Sequence, residues 1–191
     1  VDGEVVAMYE LKDSIKENAK KIVDNFHKKD IEVIMLTGDH DNIASSVAKD
    51  VGITHFLSEQ TPEGKSEFIQ KLHSENKTVV MVGDGVNDIL ALANADIGIV
   101  MGSGSDIAVE VSDVVLLNDS LQSLEDAFNI SRTTYGLIKQ NLWISLLYNA
   151  LTIPLAMAGY IIPLIAAISM SVSSLLVVGN SMRIRYKWNK N

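Results

Sequence analysis

Between Lys139 and Arg183 the chain runs for 43 residues without a charged side chain or a histidine. A helix in water keeps a polar face, and this stretch has no charge to put on one. As continuous helix it would extend about 65 Å at 1.5 Å per residue. The apolar interior of a bilayer is about 30 Å thick, so two crossings use the length and one does not. Gly159 and Pro163 stand near its middle, where a turn between two helices belongs. The expected arrangement is a membrane hairpin with spans at 141–159 and 164–182. The alternative is a helical hairpin buried inside a water-soluble protein, which the missing charge disfavours.

The flanking charges orient the hairpin. Arg132 and Lys139 precede it, Arg183, Arg185, Lys187 and Lys190 follow it, and the turn carries no basic residue. The excess of basic residues on the cytoplasmic side puts both ends, and the rest of the chain, in the cytoplasm. Trp143 and Trp188 are placed as interfacial anchors. All 24 acidic residues lie between Asp2 and Asp126. The formal charge of −8 argues against a nucleic-acid binder, which needs a basic face. The chain has no cysteine, which excludes disulfides and thiolate metal sites within it. It opens Val1-Asp2-Gly3, with neither a methionine nor a basic leader, so no signal peptide is expected and the chain is expected to be a fragment.

Before the hairpin, four short apolar runs recur at 33–36, 79–82, 97–100 and 114–117, rich in β-branched residues and bounded by turn residues. Such runs suit parallel strands buried on both faces. Helical stripes lie between them: Ile15, Ala19, Ile22, Val23 and Phe26, with Ser14 as the expected cap, and then Phe68, Ile69 and Leu72. Strands alternating with helices imply an α/β fold with a doubly wound parallel sheet. A last helix from about Leu121 is expected to run past Lys139 into the first span.

In such folds chemistry gathers at the C-terminal ends of the strands. Those ends carry Thr37-Gly38-Asp39, then Gly83-Asp84-Gly85-Val86-Asn87-Asp88, then Met101-Gly102-Ser103-Gly104. Glycines let backbone amides approach an anion, and helix N-termini add positive ends. Asp84 and Asp88, four apart, would supply hard oxygen ligands of the kind Mg2+ takes beside a phosphate. Lys65, after the turn Thr61-Pro62-Glu63-Gly64, would bring a positive charge. Taken singly, each is an ordinary turn, cap or surface lysine. Their order along the chain is what is specific. His27, His40, His55 and His73 have no ligand spacing with one another and are expected at the surface.

On these residues the chain resembles the P-type ATPases, whose phosphorylation domain belongs to the haloacid dehalogenase superfamily. Thr37-Gly38-Asp39 is similar to that family's T-G-D loop, Gly83–Asp88 to its G-D-G-x-N-D hinge, and Asp13-Ser14-Ile15-Lys16 to its D-P-x-[RK] element, with serine in place of proline. The resemblance covers essentially the whole chain. It implies a haloacid-dehalogenase-like Rossmannoid sheet followed by a two-helix transmembrane hairpin. The implied divisions are a C-terminal part of the phosphorylation domain at 1–125, a linking helix at 126–140, the hairpin at 141–182 and a basic cytoplasmic tail at 183–191. It also implies roles. Thr37 would bind phosphoryl oxygens, Gly38 and Asp39 would complete its loop, and Lys65 would neutralise developing charge. Asp84 would ligate Mg2+, Asp88 would support that site or bind Mg2+ with it, Gly38 and Gly85 would permit the close turns, and Gly83, Gly85 and Asn87 would lie among the cofactor-binding residues. Asp13 and Lys16 would lie on the ATP side. The family's nucleophile loop, Asp-Lys-Thr-Gly-Thr, does not occur in this sequence. The sheet is therefore expected either to show a vacant slot between the strands ending at Thr37 and Asp84, or to force those strands together.

Within the hairpin, Tyr148-Asn149 and Met170-Ser171-Val172-Ser173-Ser174 resemble the signatures of the copper(I)-exporting branch. A thioether suits Cu(I), and the spans hold none of the carboxylates a harder cation would want. The resemblance thus implies Tyr148, Asn149, Met170, Ser173 and Ser174 as ligands of transported Cu+, a multi-pass protein of the plasma or inner membrane, and a copper chaperone as partner. Helix packing by small residues explains the same serines without any metal. Another heavy metal (zinc, cadmium or silver), a soluble phosphatase of the same superfamily, and an inactive membrane-anchored binding module remain as alternatives.

Overall fold

The computed structural model describes residues 15–102, 104–160 and 162–188, the side chains of 163–166 and 185–188 excepted. Two compact units divide the chain, Val1–Glu125 and Asp126–Asn191.

The first unit alternates helix and strand: α1 (Ala19–His27), β1 (Ile34–Leu36), α2 (Asp41–Val51), β2 (His55–Leu57), α3 (Pro62–Ser74), β3 (Val80–Gly83), a 3-10 turn (Val86–Asp88), α4 (Ile89–Asn94), β4 (Ile97–Met101), α5 (Asp106–Val111) and β5 (Val114–Leu116). The four apolar runs form β1, β3, β4 and β5. The strand β2 was not expected, because three residues are too few to show a periodicity. Its first stripe also starts later than expected: Asn18 takes a left-handed conformation (φ 62°), α1 begins at Ala19, and Ile15 lies outside the helix and exposed. The proposed cap Ser14 lies outside the described residues.

Every strand pair is parallel, but there is no single doubly wound sheet. β1 pairs with β2, and β3, β4 and β5 form a separate sheet in that order. Of the two arrangements expected for a missing strand, β1 and β3 have not been forced together. Among the described residues each keeps one edge without a strand partner. A cavity of about 420 Å³ opens beside β1, lined by Ile34, Leu57, Phe68 and Leu72, with Glu32 and His55 at its rim.

The core collects where β4 is covered by helices. Ile69, Met81, Ala91, Leu92, Val100 and Ala108 are buried together, and Val100 and Ala91 have no exposed surface. This cluster fixes α3 and α4 against the sheet, and with them the C-terminal ends of β3 and β4.

The second unit holds the rest of α6 (Leu121–Met157) and α7 (Pro163–Trp188). The expected long helix from Leu121 is present. The turn also falls where expected. Gly159 takes φ 78°, and the amides of Gly159 and Tyr160 close on the carbonyls of Ala156 and Leu155. Pro163 then occupies the first helical position. Hydrogen bonds Asn141–Ser181 and Tyr148–Ser169 show that the helices run antiparallel. Their half-buried seam is Asn141, Ile144, Tyr148 and Thr152 on α6 against Ser169, Ser173, Val177, Asn180 and Ile184 on α7.

Among the described residues one stretch, Ala167–Ile184, is long and apolar enough to cross a membrane, and none of it is buried. No stretch of α6 qualifies by the same measure: the helix ends at Met157, so an 18-residue window reaching that end must take in Gln140, Asn141 and Asn149. Apart from Glu125, which belongs to the first unit, α6 has no buried residue.

Candidate functional site

The motif residues of the first unit meet through α3. The amide of Thr37 donates to Leu57 O, and Gln60 N donates to Thr37 O at 2.9 Å. The next residue, Thr61, caps α3 by accepting from Gly64 N at 3.1 Å. One turn in, Lys65 sends its ammonium to Asp88 Oδ1 at 2.7 Å. The loop after β1 is thus joined through Gln60 and Thr61 to the helix whose lysine reaches the loop after β3. Asn94 adds a second α3–α4 tie by donating to Ser66 Oγ at 2.9 Å.

Lys65 and Asp88 are buried, 9% and 8% exposed. A charge that deep requires a partner, and each is the other's. Asp88 sits at the end of the 3-10 turn, immediately before α4, and folds back over the end of β3. A Cβ on Gly83 would fall 2.7 Å from Asp88 Cβ and 2.9 Å from Oδ2. Glycine at 83 is therefore a steric requirement. The two glycines expected to permit close turns behave differently. Gly38 has ordinary room, and Gly85 is extended (φ −139°) and faces open space. The close approach is at the strand end and not in the loop, because Asp88 turns inward.

Asp84 and Asn87 remain exposed. The expected carboxylate pair is thus split, with Asp84 open and Asp88 committed through one oxygen to Lys65. Among the described residues no group of three or more acidic or histidine side chains is gathered for a metal. That suits Mg2+, which keeps water and phosphate oxygens and takes one or two carboxylates. Asp84 is open to such a role, whereas Asp88 is buried with Oδ1 on Lys65 and Oδ2 turned toward Gly83.

Thr37 Oγ1 donates to Asp39 Oδ2 at 2.9 Å and accepts from Asp39 N at 3.1 Å, which fixes the loop locally. The loop after β2 clasps it: Glu59 N donates to Asp39 O, and His40 Nδ1 lies 2.9 Å from Glu59 Oε1. The hydrogen bond and charge of Glu59 raise the His40 pKa above its ordinary value. His55 and His73 likewise pair with Glu32 and Asp96, and His27 is half-buried. Asp96 is held below the usual carboxylate range chiefly by the amide of Val79, with His73 adding to it.

Lys16 was expected on the ATP side. It pairs with Asp119 at 2.8 Å, beyond β5. Gly102 (φ 60°) makes room for that aspartate, since a Cβ there would meet Asp119 Oδ1 at 2.7 Å. Asp13 and Ser103 lie outside the described residues. Sequence reasoning also missed Glu125, buried at the start of α6 with Asn25 Nδ2 at 3.0 Å and Lys29 Nζ at 3.6 Å. One of two adjacent acids at the start of a helix gives no signal until its partners are known.

The second unit sorts the proposed copper donors onto two surfaces. Tyr148 and Ser173 are half-buried in the seam, and Tyr148 Oη lies 2.9 Å from Ser169 Oγ. Asn149, Met170 and Ser174 are exposed, Met170 by 67%. Asn149 follows Tyr148 and Met170 follows Ser169. Each step turns about 100°, and in antiparallel helices the two turns carry to the same side. Asn149 and Met170 therefore share one outer face at one level, with Ser174 a turn along it. Ser174 Oγ donates to Met170 O and keeps its own lone pairs.

The profile of the haloacid dehalogenase-like hydrolases matches residues 1–96. The chain belongs to the haloacid dehalogenase-like hydrolase family. Its likeness extends beyond that domain. It is 42% identical over 97% of its length to a copper-exporting P-type ATPase of Bacillus subtilis, covering 23% of that protein. It is also 42% identical to a probable copper-importing P-type ATPase of Enterococcus hirae, covering 97% of this chain and 26% of that one. A crystal structure of a zinc-transporting PIB-type ATPase in its E2.Pi state superposes with a TM-score of 0.84 and 29% identity, over 91% of this chain and 28% of that one. This haloacid dehalogenase-like chain thus spans about a quarter of the length of the transporters it matches.

Proposed function

We propose that this chain is the C-terminal part of a copper(I)-transporting P-type ATPase that couples Mg2+-dependent phosphoryl transfer from ATP to movement of Cu+ across a membrane. The observation that carries the reading is the buried Lys65–Asp88 pair beneath the exposed Asp84 loop. Bound at Asp84 and Asp88, Mg2+ would neutralise phosphate charge and orient the transferred group. Thr37 would turn its hydroxyl proton from Asp39 Oδ2 to the phosphoryl oxygens. Lys65 would hold Asp88 in place and add positive charge to the site. Gly85, uncovered and extended, would leave its amide free to approach the anion.

The copper part rests on the outer face of the hairpin. Asn149, Met170 and Ser174 offer a soft sulfur and neutral oxygens there, and no carboxylate. In this reading α6 and α7 both lie in the membrane, with both ends of the chain in the cytoplasm. The similar proteins include copper exporters, a copper importer and a zinc transporter, so direction and metal need a direct measurement.

Because the sequence contains no Asp-Lys-Thr-Gly-Thr, the 191-residue chain incubated with Mg2+ and radiolabelled ATP is expected to gain no hydroxylamine-labile phosphate. In a transporter containing it, Met170→Ala is expected to abolish copper-stimulated ATP hydrolysis. Full copper stimulation in that variant, or stimulation by zinc and not by copper, refutes the copper assignment.

A further inference from the structure

Five polar side chains close the hairpin at the end away from its turn. Asn180 Nδ2 donates to Asn141 Oδ1 at 2.9 Å and to Gln140 Oε1 at 3.3 Å. Asn141 Nδ2 in turn donates to Ser181 Oγ at 2.8 Å. Arg183 donates to the remaining amide oxygen of Asn180 at 3.2 Å. The amide of Asn180 is thus used on both atoms.

The Tyr148 contact does not by itself define one register. Ser169 and Ser173 repeat a serine on successive turns of α7, with Val177 next on the same face. If α7 slid by one turn, Tyr148 would exchange Ser169 for Ser173 and keep a hydroxyl partner. Asn141 would exchange Asn180 for Ile184 and Ser181 for Arg185, and so lose the amide-to-amide bond that holds it in the observed register. Such a slide would also bring Ser174, in place of Met170, level with Asn149. The sulfur donor would then sit about 6 Å away along the axis, four residues at 1.5 Å each.

We infer that Asn180, through its amide pair with Asn141, is the positioning residue that sets the register of α7 on α6 and so keeps the Met170 thioether, not a serine hydroxyl, opposite Asn149. This builds on the transport reading above. A single buried asparagine plays the same part in coiled coils, where it selects one register among several that pack equally well.

The chain contains no cysteine, so two nitroxide labels can be placed without altering the background. Leu142→Cys and Ala167→Cys are exposed positions on α6 and α7. Their axial offset is ten residues from level, about 15 Å, and a one-turn slide changes it to about 21 Å. In lipid nanodiscs the chain is expected to give one narrow distance by dipolar electron resonance. Asn180→Leu and, from the other side, Asn141→Leu are each expected to add a second population roughly 5 Å longer. Asn180→Gln, which restores the amide, is expected to return the single distance. Ser171→Ala, which removes a hydroxyl bonded only to its own helix, is expected to leave it unchanged. A single unaltered distance in both leucine variants overturns the inference, as does a glutamine variant that behaves like leucine. The measurement uses no metal, so its failure is separable from failure of the copper reading, which the Met170→Ala experiment decides.

Discussion

The Lys65–Asp88 pair gives the sharpest energetic expectation. The two groups lie 2.7 Å apart with side chains 11% exposed. At that distance the attraction is about 6 kcal/mol with an effective dielectric constant near 20, and about 1.5 kcal/mol in bulk water. Desolvation of both charges offsets much of it, so the intact pair is worth little against two apolar side chains of similar size. Removing one member is different, because the other stays buried without a counter-charge. Lys65→Met or Asp88→Leu alone is expected to cost about 3–5 kcal/mol. The double variant is expected to recover most of that, leaving a strong coupling in a double-mutant cycle. The assay is denaturant-dependent hydrogen exchange of the β3 and β4 amides in the full chain, which reads opening of this unit and not of the hairpin. Single costs below about 1 kcal/mol, or a double variant that is simply additive, would refute the reasoning.

Two further outcomes follow from the same geometry. Gly83→Ala drives a Cβ into Asp88 and is expected to cost about 1–3 kcal/mol in the same exchange experiment, whereas Gly85→Ala, extended and open, is expected to be neutral or slightly stabilising; the reverse order would contradict the packing. The His40–Glu59 contact raises the histidine pKa, so its support for the Thr37 loop is complete below the unfolded value of about 6.5 and is lost as pH rises through the raised folded value. Ring titration by NMR is expected to show the His40 midpoint falling in Glu59→Gln, and an unmoved midpoint would remove Glu59 as the cause.

Glu125, Lys16 and Gly102 mark how far the sequence reaches. Glu125 was ordinary in the sequence, while Lys16 and Gly102 stood in motifs that did not name their partner. Each gained meaning only from a partner distant in the chain: Asn25 for Glu125, and Asp119 for the other two. The strand β2 shows a different limit, since three residues carry no period and only pairing with β1 defines them.

The sequence by itself determined the features that depend on local chemistry. The uncharged run dictated a long helix, a turn at Gly159 and a second helix. The apolar runs dictated parallel strands with glycine and aspartate at their ends. Tertiary structure decided which of two equivalent aspartates became the buried one, and divided the strands into two sheets. It also sorted the hairpin donors between seam and outer face. Periodicity reports which side of an element is apolar, because that follows from the element's own geometry. Which residue meets which across the fold depends on how separate elements close on one another, and a serine repeated on successive turns leaves that choice to a pair of asparagines.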